Sequence, residues 1–338
     1  MKTVKNKILL FGIILTISIL VDGCKKTENT ENTRESISDV QTIRLDVRIN
    51  SAEFRATVSF TGSITDMGIC WSTETNPTVD DNKISHGAST SQSGMDFFDS
   101  NITVFNHNTK YYVRAYASNI DSTVYGNTKT FEVQVGPGEN IIDIDGNTYT
   151  TAIIGTQTWM AENLKVTHFT NNNSIFFVGD DPHEWILHGS RPNYAYYNNN
   201  PNNSEIYGLL YNQASIERDE ICPSGWHVPT YDDWETLQDF LHGWFEAGGK
   251  LKETGTTHWQ SPNLGATNES GFNALPGGMR IHNGYFSELG ERTYYWSIWR
   301  LGTFRGGFSS VPYSGKMMVL TEGETWSGYG YSIRCIKH

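Results

Sequence analysis

Two hydrophobic patterns divide this chain. Between residues 40 and 135 apolar positions recur at every second residue in short runs: IRLDVRI (43–49), FRATVSF (54–60), MGICWS (67–72), FDSNITVF (98–105), KYYVRAYASN (110–119) and YGNTKTFEVQV (125–135). A period of two marks half-buried strands, and Gly, Asn, Asp and Pro punctuate the runs as turns. About seven such strands in roughly a hundred residues predict a β-sandwich over 40–135. VGPGEN (135–140) then reads as a Gly/Pro hinge, and the composition shifts beyond it: nine of the ten tryptophans follow Asn140. Residues 141–338 are expected to form a second domain with an aromatic-rich core.

Within that second part, IIDIDGNTYTT (141–151) places Asp145-Gly146 between two alternating segments, which predicts a two-residue type I′ hairpin. Its Asp-x-Asp-Gly-Asn run also invites a calcium loop, but the twelfth position counted from Asp143 is Ile154 where a bidentate Glu is required. Residues 171–203 are rich in Asn, Tyr and Pro and read as a long irregular region, functional or mobile. Thr230 is a natural N-cap with Asp232 and Asp233 behind it in the first turn. Trp234, Leu237, Leu241 and Trp244 recur at helical spacing, so one apolar helix face is expected to run to Gly248-Gly249. YYWSIWR (294–300) and WSGYGYSIRC (326–335) carry dense aromatics. In alternation half of these face the core, and Tyr294, Trp296, Trp299 and Trp326 are the candidates for a ligand-stacking platform.

The N-terminus adds a different signal. Lys2, Lys5 and Lys7 precede an apolar run over 8–21. At about 1.5 Å per residue it spans about 21 Å, short of a bilayer core, and reads as the h-region of a signal peptide over 1–23. Val21-Asp22-Gly23-Cys24 resembles a bacterial lipobox, in which the cysteine is acylated and becomes the new N-terminus; Asp22 departs from the small or apolar residue usual there. That resemblance implies membrane lipid as a partner through Cys24. Residues 24–39 are almost free of apolar side chains and read as a disordered tether. The net charge of −12 leaves no basic surplus for nucleic acid. Neither a cofactor nor a metal is called for.

An exported protein meets an oxidising compartment, where Cys70, Cys222 and Cys335 supply one pair and one spare. ICPSGWHVPTYDDW (221–234) sets Cys222 five residues before His227. Cys–His catalysis needs a group orienting the imidazole and an oxyanion hole, and zinc needs three or four ligands; nothing local supplies either. The economical reading is a Cys222–Cys335 disulfide closing a loop of about 110 residues, worth about 4–5 kcal/mol in the chain-entropy model. A free thiol and a catalytic cysteine are the readings it competes with. Cys70, inside an apolar strand, reads as a buried free thiol.

NTKYYVRAYASN (108–119) resembles the penultimate strand of fibronectin type III domains. By that likeness Tyr111 is the corner tyrosine, Val113, Ala115 and Ala117 face the core, and Tyr112, Arg114 and Tyr116 face out. IDGNTYTTAIIGTQTWMAENLKV, YGLLYNQASI, CPSGWHVPTYDDWETL, GGKLKETGTTHW, SPNLGATNESGFNALPGGMR and YSIRCIK together resemble the Fibrobacter succinogenes major paralogous domain, over nearly all of 141–338. The resemblance implies an all-β fibronectin-III-like sandwich followed by an α+β C-type-lectin-like domain, in a Bacteroidetes-type lipoprotein. It also implies a non-enzymatic cell-envelope module, lipid-anchored at the outer membrane, that binds a glycan or a surface protein. The same fold is shared by formylglycine-generating enzymes, so an oxidase using Cys222, Cys335 and His227 around copper is the competing expectation. A purely structural envelope protein is the third. The calcium lectins' paired sugar motifs are absent, so their site is not carried over.

Overall fold

The computed structural model describes residues 35–218, 220–301, 303–321 and 328–338. The expected signal peptide, Cys24, most of the tether and Trp326 lie outside the described residues. No helix among the described residues is long and apolar enough to cross a membrane.

The N-terminal region consists of β1 (Ser36–Arg48), β2 (Ser51–Thr61), β3 (Asp66–Ser72), β4 (Asn82–Gly87), β5 (Ser93–Ile102), β6 (Lys110–Ser118), β7 (Thr123–Tyr125) and β8 (Lys129–Glu132). One sheet has the order β1-β2-β5, the other β4-β3-β6-β7 with β8 also on β6. Alternation works as expected in β2, where Ala52, Phe54, Ala56, Val58 and Phe60 are buried while Glu53 and Arg55 face solvent. Both sheets contribute to one core, with Phe54 and Val58 from the first and Ile69, Trp71, Val113 and Ala115 from the second.

Two details differ from expectation. The first strand opens at Ser36, inside the expected tether, because Ile37 packs against the core and Ser38 Oγ donates to Ser59 O. Tyr116 was expected to face out and is buried. Gly68 lies directly opposite on β3, where a Cβ would come within 3.1 Å of the Tyr116 ring, and the Tyr116 hydroxyl donates to Asp66 Oδ2 at 2.9 Å.

The expected hinge is instead an edge strand. β9 (Val135–Pro137) pairs antiparallel with Ala152–Ile154, and Gly138 N donates to Thr151 O at 2.8 Å. A proline fits there because an edge strand can spare its N–H. A second tie crosses from the turn between β1 and β2. Ile49 is fully buried in a cluster with Trp159, Trp234, Leu237 and Leu241, and its N–H donates to Phe240 O at 2.9 Å.

The C-terminal region continues with β10 (Ile141–Ile142), β11 (Thr148–Tyr149), β12 (Thr151–Ile154), β13 (Gln157–Met160), β14 (Phe176–Phe177), α1 (Pro182–Leu187), β15 (Asn193–Ala195), α2 (Asn203–Tyr207), β16 (Leu210–Asn212), α3 (Gln213–Ile216) and β17 (Trp226–His227). It is completed by α4 (Tyr231–Phe240), α5 (Ala247–Leu251), β18 (Gly277–Arg280), β19 (Phe286–Leu289), β20 (Arg292–Leu301), β21 (Thr303–Pro312), β22 (Val319–Thr321), β23 (Gly330–Tyr331) and β24 (Ile336–Lys337). A five-stranded sheet has the order β17-β24-β13-β12-β9. A nine-stranded sheet runs β14-β15-β16-β23-β18-β20-β21-β22, with β19 on β18.

The hairpin at Asp143 forms, but not with the expected two-residue turn. Five residues separate β10 from β11, and of these only Gly146 has a positive φ, at 86°. A type I′ turn needs Asp145 there as well. The Asp143 carboxylate instead accepts from the backbone N–H of Asp145 (3.0 Å) and Asn147 (2.9 Å) and from the Tyr149 hydroxyl (2.6 Å).

Helix α4 begins as expected. Thr230 Oγ1 accepts from Asp233 N, and the Asp233 carboxylate accepts from Thr230 N at 2.8 Å, a reciprocal capping box. It ends early, however, at Phe240. Left-handed His242 and Gly243 turn the chain, with Gly243 N donating to Gln238 O at 2.7 Å. Trp244, expected on the buried face, is therefore 53% exposed and packs against Phe245 with the rings tilted.

Candidate binding surface

The two sulfurs of the C-terminal region are joined: Cys222 and Cys335 form a disulfide, both buried. His227 has partners of its own. Its Nε2 lies 3.1 Å from Asp233 Oδ2, and its ring stacks on His338 at 4.4 Å. Burial alone would raise the Asp233 pKa, but hydrogen bonds from His227 and Thr230 outweigh it and hold the carboxyl below the usual carboxylate range. In the N-terminal region Cys70 is a buried free thiol, and burial pushes its pKa up to about 11.

The expected aromatic platform is not a surface. Trp296 is fully buried and its Nε1 donates to Tyr211 O at 2.7 Å. Tyr294 is 6% exposed, stacks on Tyr331 at 5.2 Å and donates its hydroxyl to Glu288 Oε2. Trp299 is half-buried, and Trp326 lies outside the described residues. The reason is the position of β20. Tyr294, Trp296 and Ile298 on one face enter one core cluster, and Tyr295 on the other face enters a second. A strand covered on both sides has no outward half to spare.

Aromatic surface is exposed elsewhere, in the stretch that reads as irregular. Phe176 and Phe177 on β14 are 40% and 38% exposed at the edge of the nine-stranded sheet. With Phe169, Arg191, Pro192 and Arg218 they line a cleft of about 410 Å³, within the size range of small-ligand sites. The Arg191 guanidinium lies 3.4 Å from the Phe176 ring centroid, and that of Arg218 lies 5.6 Å from the Phe169 ring. Phe177 in turn packs on Tyr194 and Tyr196 at 5.5 and 5.2 Å.

Buried amides hold this arrangement. Asn212 caps α3 by accepting from Ser215 N, accepts from Asn193 N at 3.1 Å, and donates through Nδ2 to the carbonyl of Arg191 at 2.8 Å. Phe176 N donates to Pro192 O, and β14 then runs parallel to β15. Nothing in the spacing of these residues pairs them. The readable trace is the composition of 171–203, whose Asn and aromatic residues become these anchors and rings.

Other clustered chemistry is structural. Lys252 is fully buried and donates to the carbonyls of Leu264, Pro312 and Gly315 at 3.0, 3.2 and 2.9 Å; burial brings its pKa down to about 8. Arg334, also fully buried, donates to Asn163 Oδ1 at 2.7 Å and to the carbonyls of Met160, Phe272 and Asn273. A third buried cation, Arg280, lies between the rings of Trp185 and Phe286.

Comparison with known proteins places this region in a family. No curated protein matches the chain. Residues 153–337, more than half of the chain, match the Fibrobacter succinogenes major domain. That span contains both disulfide cysteines, the capped helix α4, the doubly covered strand β20 and the aromatic cleft. The chain belongs to the Fibrobacter succinogenes major domain family.

Proposed function

We propose that the protein is a non-enzymatic lipoprotein of the cell envelope, anchored in the outer membrane by lipid on Cys24, whose C-terminal domain binds a glycan or a surface protein. In this proposal that domain is C-type-lectin-like and the N-terminal region is a fibronectin-III-like spacer. The spacer is supported by the sheet orders β1-β2-β5 and β4-β3-β6-β7, and by Tyr111, whose hydroxyl oxygen accepts from Asn106 N five residues upstream. The observation that carries binding is the open cleft at β14, where aromatic rings and guanidinium groups sit on a scaffold pinned by buried asparagines.

The copper- or thiol-dependent oxidase would need Cys222 and Cys335 as reduced ligands, and the disulfide between them speaks for the binding reading. The direct test is screening of residues 35–338 against arrays of glycans and of host and matrix proteins. Saturable binding to at least one class is expected. No ligand from either class would overturn the reading. The anchor is tested by the intact mass of the exported protein, which should start at Cys24 and carry acyl chains.

A further inference from the structure

We infer that the cleft at β14 recognises an acidic glycan, with Arg191 and Arg218 taking the carboxylate or sulfate groups of its sugars. This rests on the binding-module reading and names the ligand class of that site. The chain as a whole is acidic, at −12, yet among the described residues the only charged ones lining this cleft are two arginines. Among the described residues neither guanidinium is paired with a carboxylate. Unpaired cations collected in one concavity of an acidic protein point to an anionic partner supplied from outside.

The geometry fits a carboxylate or sulfate better than a diffuse charge. The Arg191 guanidinium lies over the Phe176 ring, so one face is covered and its N–H donors lie in the plane. A planar fork held this way meets two oxygens of a carboxylate or sulfate side by side. The Asn212 bond to the Arg191 carbonyl fixes the backbone and the Phe176 ring restrains the guanidinium, so less side-chain freedom is lost on binding. Beside it, the exposed ring of Phe177, backed by Tyr194 and Tyr196, offers an apolar face to the C–H surface of a sugar ring. The 410 Å³ volume suits a few sugar units and not a folded partner.

The test titrates residues 35–338 with oligogalacturonates, with sulfated chondroitin oligosaccharides and with neutral cello-oligosaccharides, followed by calorimetry at low and at 0.5 M salt. The same series is run on Arg191→Gln and Arg218→Gln, with circular dichroism and melting temperature confirming the fold. The expected result is that acidic oligosaccharides bind, that each substitution weakens them about tenfold or more, and that salt weakens them further while neutral sugars bind poorly. The uronate and sulfate arms decide which anion is preferred. Neutral sugars binding as well as acidic ones, or acidic ones binding equally to both folded variants, would overturn the inference and leave the binding-module reading standing. Binding of an acidic peptide with no acidic glycan would do the same. Absence of any glycan or protein ligand would overturn both.

Discussion

The N-terminal region and the C-terminal region are both built from β-sheets, but they fill their interiors with different chemistry. In the first, Phe54, Val58, Ile69, Val113 and Ala115 pack between two sheets, and the few buried polar groups are hydroxyls such as Thr42 and Ser100. In the second, Lys252, Arg280 and Arg334 are fully buried, and a buried disulfide joins Cys222 to Cys335. The backbone explains the contrast. Long regular strands satisfy their own carbonyls in the sheet ladder. The C-terminal region spends much of its chain on loops and two-residue strands, and carbonyls such as Leu264, Gly315 and Phe272 take their hydrogen bonds from buried cations. Such a core is held by polar tethers as well as by packing.

The largest effect that sharpens this contrast is loss of the disulfide. Cys222→Ala together with Cys335→Ala should cost about 4–5 kcal/mol of stability in urea denaturation, whereas Cys70→Ala in the N-terminal core should cost about 1 kcal/mol. Lys252→Met should come next, at about 3 kcal/mol, because three carbonyls lose the donor that a fully buried ammonium supplies. The same residue gives a pH signature. Its folded pKa of about 8 lies below the ordinary 10.5, so the unfolded chain binds more protons between those values. The Lys252 contribution to stability therefore rises with pH across about 8 to 10.5, and the slope should be missing in Lys252→Met.

Ile49→Ala should cost about 2–3 kcal/mol by emptying the pocket shared with Trp159 and Trp234. It should also split one calorimetric transition into two if that side chain couples the regions. The smallest effect is expected at the helix cap: Asp233→Asn should cost about 1 kcal/mol at neutral pH. Because the folded pKa of Asp233 is depressed, its contribution is present above the unfolded carboxylate range and is lost as pH falls through the folded value. Wild type and variant should therefore converge in acid.

The contrast also explains what was legible beforehand. The alternation of β2, the Thr230 cap and the Cys222–Cys335 pairing are each fixed by short-range pattern or by cysteine arithmetic, and all three are present. Alternation misplaces Trp296 because it assumes one wet face, and β20 is buried on both faces from Thr293 to Ile298. The fibronectin likeness misplaces Tyr116, whose partner across the strand is a glycine. Helical spacing misplaces Trp244 because the left-handed turn at His242 and Gly243 ends the helix about two turns early. The aromatic–arginine cleft was not readable, since Asn193, Asn212 and Arg191 meet only through tertiary contacts.

A binding module of the kind proposed uses the sulfur of its C-terminal region as scaffold and not as chemistry. Thiol counting on the exported protein, denatured without reductant, addresses this most directly. With Cys24 acylated, one alkylated thiol is predicted, at Cys70. Three modified cysteines, including Cys222 and Cys335, would contradict it.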